Sequence, residues 1–208
     1  PVQDARSLGE ALQKSAGKLL GKENVEVWHV QSRLAGQPVF TTPERAGVMK
    51  ALEEIGKKAR SQDVLFIFFA GHGVMHGTGE KAFTFLTADA SKLNQIGIST
   101  KDLKEWLSPE GPFAMMPNKT ILVYDACNSG QAAKELVSAL TRDNDATERI
   151  RQVEDLGYKS GLFILSASAP DKPAYEIPGL GQGLLTYSLL KTLKNNPLVL
   201  DENVEGNG

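Results

Sequence analysis

The sequence predicts an α/β fold built on a mostly parallel sheet with helices on both faces. Two observations carry that expectation. Two continuous apolar runs, Val64-Leu65-Phe66-Ile67-Phe68-Phe69-Ala70 and Thr120-Ile121-Leu122-Val123-Tyr124, each stop at a small, glycine-bearing turn. Runs without alternation read as strands buried on both faces, the pattern of a parallel sheet. Strand-like segments also alternate with helical ones along the chain, as βαβ units require.

The elements follow in order. Asp4 to Leu20 reads as a helix, with Leu8, Leu12, Leu19 and Leu20 on its inner face and Gly21 near its end. Val25 to Val30, which includes His29, alternates like a strand. Pro43 at a first-turn position, followed by Val48, Leu52 and Ile55, marks a second helix ending near Arg60. The first apolar run comes next, from Asp63. Ala82 to Ala88 reads as a short hairpin element, Thr100 to Leu107 as a short helix, and Pro109 to Pro117 as a loop. After the second apolar run a helix is expected from about Gln131 to Leu140. Thr141 to Ser160 is polar and charged. Leu162 to Ser168 reads as a strand, Gly183 to Lys194 as a helix, and Asp201 to Gly208 as a tail. There is no internal repeat.

Composition narrows the function classes. A chain of 208 residues is long enough for one domain with a sizeable core. Hydrophobic content of 41% and charged content of 23% are those of an ordinary globular protein. The net charge of -2 carries no basic excess for nucleic acid, and the apolar runs are too short to span a membrane. A single cysteine excludes an internal disulfide framework, which fits a reducing compartment, so a cytoplasmic location is expected.

The chemistry gathers at the two strand ends, where open α/β sheets collect their ligands. The first run leads into Phe69-Ala70-Gly71-His72-Gly73, the second into Asp125-Ala126-Cys127-Asn128-Ser129-Gly130. A lone cysteine with a histidine 55 positions upstream is a candidate nucleophile pair. A free thiol is only a few per cent thiolate at neutral pH, and an adjacent imidazole takes its proton or stabilises the thiolate. His72 and His76 have the i, i+4 spacing that suits zinc on a helix. The glycine-flanked turn and the lack of a third ligand argue against a metal site, so His76 reads as a loop residue. Asp125 lies two positions before Cys127 and points to the same side of an extended strand. Asp4, at the head of a helical pattern, has the position of an N-cap.

These motifs resemble the two catalytic motifs of caspase-like cysteine peptidases, most closely the bacterial metacaspase-like (orthocaspase) branch. Val2-Gln3-Asp4-Ala5-Arg6 with Leu8, Leu162 to Ser168, and Gly183 to Leu190 resemble further segments of that family, in its order. The resemblance implies a cysteine endopeptidase that hydrolyses peptide bonds after Arg or Lys, with Cys127 as nucleophile and His72 as general acid/base. It places the oxyanion hole at the backbone N–H groups of Gly73 and Cys127. It puts Asp4 and Asp125 in the pocket for the basic residue, where two carboxylates repel unless a cation lies between them. Ala70 departs from the pattern, since metacaspases often carry a serine there.

The same resemblance divides a single domain, residues 1–208, into a large-subunit-like segment over residues 1–140, a linker over 141–160 and a small-subunit-like segment over 161–208. Two readings of Thr141 to Ser160 stand side by side: a solvated helix and loop between two strands, or, by the resemblance, an exposed linker open to self-cleavage after Arg142, Arg149, Arg151 or Lys159. No cofactor is expected: Asp89, Asp102 and Glu135 are scattered, and no dense run of carboxylates suits calcium. The family's first central strand precedes the position of Asp4 and does not occur in this sequence. Either an upstream segment or another polypeptide is expected to supply it, or the chain is a fragment, and fusion to a sensor or repeat module is expected. The partner implied is a peptide or protein substrate, with neither nucleic acid nor membrane. Two alternatives stand beside this reading: an inactive caspase-like interaction domain, and a CHAT or separase-like peptidase.

Overall fold

The computed structural model describes residues 2–33, 36, 39–76, 82–91, 97–108, 110–113, 117, 119–127, 129–132, 135, 161–168 and 183–195. Its elements are α1 (Val2–Leu20), α2 (Arg45–Lys58), β1 (Val64–Ala70), β2 (Gly73–His76), β3 (Ala82–Leu86), β4 (Gly97–Ser99), α3 (Thr100–Trp106), β5 (Lys119–Asp125), β6 (Leu162–Ser166) and α4 (Leu184–Asn195). Strands β1, β5 and β6 form a parallel sheet in that order, and β2, β3 and β4 an antiparallel one. The expected α/β class is present. Among the described residues, no strand pairs with the outer edge of β1.

Strand β5 lies in the middle of the parallel sheet, and its composition fits that place. Leu122, Val123 and Tyr124 are almost wholly buried, as a strand covered on both faces requires. Leu122 and Tyr124 join Leu65 and Phe69 of β1, Phe83, Ile98, and Leu52, Leu103 and Trp106 of α2 and α3 in one apolar core. Successive side chains point to opposite faces, so Val123 and Asp125 look the other way, toward α4. Helix α1 packs against both α4 and β1, and its Leu8 is buried.

An ion pair joins α2 to α3. Ser99 and Asp102 form a capping box, the Ser99 side chain accepting from the Asp102 N–H at 3.1 Å and Asp102 accepting from the Ser99 N–H at 2.8 Å. Arg45 donates to both Asp102 oxygens, at 3.0 and 2.7 Å, and its guanidinium lies 4.7 Å from the Trp106 ring centre. Burial pushes the Asp102 carboxyl up, but hydrogen bonds from Arg45 and Ser99 outweigh it and hold the group at about 2.

Several expectations need correction. Val25 to Val30 is not a ladder strand: only Val30 bridges, to Thr41, and the Phe40 N–H donates to the His29 carbonyl. Its alternation has no neighbouring strand to pair with. Pro43 precedes the N-cap Glu44 rather than entering the first turn, and α2 stops at Lys58. His76 is a strand residue, paired with Ala82 across the β2–β3 hairpin. After the cysteine, Ser129 is already helical, ahead of the expected start near Gln131; the described residues of that helix are 129–132 and 135. Segments 136–160 and 196–208, with Arg142, Arg149, Arg151 and Lys159, lie outside the described residues.

Candidate active site

Register brings the two motifs together. The last paired residues of β1 and β5 are Ala70 and Asp125, and the Gly71 N–H donates to the Asp125 carbonyl at 3.2 Å. His72 and Cys127 each lie two residues beyond that pair. Paired strands run about 4.8 Å apart, so both turns leave the sheet side by side. His72 is exposed and Cys127 half-buried, which leaves both side chains accessible.

Three devices fix the two turns. The His72 carbonyl accepts from the Leu86 N–H at 2.8 Å, which ties the histidine turn to the end of β3. At Gly73 the chain runs so close that a Cβ would overlap the Cys127 carbonyl oxygen and the Phe83 ring. Only glycine permits that approach. From the opposite side Ser168, just beyond β6, holds the cysteine turn. Its Oγ accepts from the Ser129 N–H at 3.1 Å and lies 3.2 Å from the Ser129 hydroxyl, and its own N–H donates to that hydroxyl at 3.2 Å.

Beneath the turns lie aromatic rings. Phe69 stacks on Tyr124 with centroids 5.3 Å apart, Phe83 meets Tyr124 edge-on at 5.5 Å, and Phe85 leans on Phe69 at 4.9 Å. Each such pair contributes about 0.5–1.5 kcal/mol beyond its buried area. Burial first, then the Glu135 charge, push the Tyr124 phenol above its ordinary value.

Asp125 is buried, 8% exposed, and its Oδ2 accepts from the Thr186 N–H at 3.2 Å and the Thr186 hydroxyl at 2.5 Å. Asp4 is 5% exposed and lies inside the first turn of α1, which begins at Val2, rather than at the N-cap. The three carboxylates considered for calcium each have protein hydrogen-bond partners. Asp102 binds Arg45, Asp89 accepts from the Arg45 N–H at 3.2 Å, and Glu135 accepts from the Phe83 N–H at 2.9 Å and the Thr100 hydroxyl at 2.5 Å. Among the described residues no group of three or more His, Cys, Asp or Glu could hold a metal ion. Thr186 and Glu135 are the site residues whose partners the sequence did not suggest.

The family model for the caspase domain matches residues 1–203. The chain belongs to the caspase-domain family. No curated protein matches it. Among solved structures, protein GSU0716 from Geobacter sulfurreducens is similar, with 16% identity and a TM-score of 0.47. The match covers 76% of this caspase domain and 66% of that protein, so the chain spans just under two thirds of its length. No helix among the described residues is long and apolar enough to cross a membrane.

Proposed function

We propose that this caspase domain is a cysteine endopeptidase of the metacaspase-like branch that hydrolyses peptide bonds after Arg or Lys. One observation carries the reading: His72 and Cys127 stand at equal offsets beyond one paired rung, on adjoining accessible turns. In the proposed reaction His72 takes the Cys127 proton as Sγ attacks the scissile carbonyl carbon. Backbone N–H groups of Gly73 and Cys127 receive the oxyanion, a role in which each donor is worth roughly 10²–10³ in rate. His72 returns the proton to the leaving amine, and a thioester remains. Water, deprotonated by His72, then attacks the thioester, releases the carboxylic acid and restores the thiol.

Asp125 and Asp4 receive the basic side chain in this reading. A cation between two carboxylates relieves their repulsion, whereas an acidic side chain adds to it. The test is hydrolysis of matched fluorogenic peptides ending in Arg, Lys or Asp. Wild type cuts the Arg and Lys peptides and rejects Asp by more than about 10³. Cys127→Ala lowers kcat/KM at least about 10³-fold with an unchanged melting temperature. Near-parental activity in Cys127→Ala, or a preference for Asp, would overturn the assignment.

A further inference from the structure

We propose that Thr186 is a positioning residue that aims the Asp125 carboxylate at the substrate's basic side chain and so sets selectivity for Arg and Lys. This rests on the function just proposed. Thr186 is fully buried, and its two donors converge on a single oxygen, Oδ2, with the hydroxyl at 2.5 Å and the N–H at 3.2 Å. As the third residue of α4, Thr186 has an N–H without a partner inside the helix. Asp125, which lies 61 positions away on β5, supplies the acceptor.

Backbone packs against the carboxylate as well. A Cβ at Gly183 would overlap Oδ2 and sit 2.7 Å from Oδ1. With two donors on one oxygen and backbone packed against the group, the carboxylate plane has one setting. A guanidinium is itself a planar fork, and its recognition depends on the angle of the carboxylate it meets. An uncharged substrate side chain makes no such demand. The hydroxyl of Thr186 therefore discriminates between substrates, beyond any contribution to folding.

The experiment measures kcat and KM for two peptides alike except at the residue before the cut, Arg in one and its uncharged isostere citrulline in the other. Thr186→Val keeps the shape and removes the hydroxyl, while Thr186→Ser keeps the hydroxyl. A hydrogen bond to a charged group predicts that Thr186→Val raises KM for the Arg peptide about 10–100-fold. Its kcat stays within about threefold, the citrulline peptide changes less than about threefold, and Thr186→Ser stays near wild type. Equal losses on both peptides would reduce Thr186 to a scaffold residue, and unchanged Arg kinetics would remove it altogether. If Thr186→Val does not fold, Gly183→Ala crowds the same carboxylate with a methyl group and must give the same selective loss on the Arg peptide. A wild-type enzyme that cuts neither peptide overturns the function reading itself, a result distinct from all of these.

Discussion

The two faces of β5 are held by different forces. On the Leu122 and Tyr124 side the contacts are apolar, with the rings of Phe69, Phe83 and Phe85 and the side chains of α2 and α3 closing a continuous core. On the Asp125 side, and at the cysteine turn, few polar atoms hold the chain: Thr186 on Asp125, and Ser168 on Ser129. Apolar burial is strong and non-directional. Hydrogen bonds add about 1 kcal/mol net each but fix angles. The aromatic face therefore decides where the two turns are, and the polar face decides how their groups point.

That contrast can be broken from the apolar side first. Phe83→Ala removes a wholly buried ring from the junction of the two sheets and should destabilise the fold by about 3–5 kcal/mol. Urea unfolding followed by far-UV circular dichroism measures it. A loss below about 1 kcal/mol would mean that the rings do not carry this face.

A smaller effect is expected on the polar side, with a different signature. Ser168→Ala strips the cysteine turn of its partner just beyond β6 and should cost about 1–3 kcal/mol in urea. Its kcat should fall about tenfold while KM holds, because only the aim of Cys127 changes. Equal stability loss with unchanged kcat would make Ser168 a scaffold residue alone.

The smallest effect sharpens the comparison at the protein's edge, in the Arg45–Asp102 pair. The Asp102 carboxyl sits at about 2 in the folded protein, below its ordinary 3.8. A depressed folded value gives stability that is present above about pH 4 and is lost as pH falls toward 2. Solvent screening of this half-exposed pair limits the amount to about 1 kcal/mol. Urea midpoints at pH 5 and pH 2.5 should therefore converge more in Asp102→Asn than in wild type. An identical pH dependence in both proteins would rule out this linkage.

Local pattern in the sequence sufficed for some of this. The apolar runs ending at His72 and Cys127 are legible because a strand buried on both faces writes itself as an unbroken run, and both strands form in parallel register. Val25 to Val30 has the alternation of a strand, yet alternation cannot supply a neighbour, and only a single bridge forms. The four residues of β2 are too few for periodicity, and their strand character comes from Ala82–Leu86 across the hairpin. Glu135 read as a scattered carboxylate because nothing near it in sequence reveals the Phe83 N–H, 52 positions away. Thr186 was hidden for the same reason, its acceptor lying on another strand.

The shared rung between Ala70 and Asp125 also governs which changes of length the protein tolerates. Residues added between Leu86 and Gly97 fall outside both of these paired strands. One residue added inside β5 reverses every side chain beyond it: Asp125 would turn into the aromatic core and Cys127 away from His72. Insertions and deletions that preserve activity must therefore fall outside the seven paired positions of β1 and β5 and the two-residue steps that follow them.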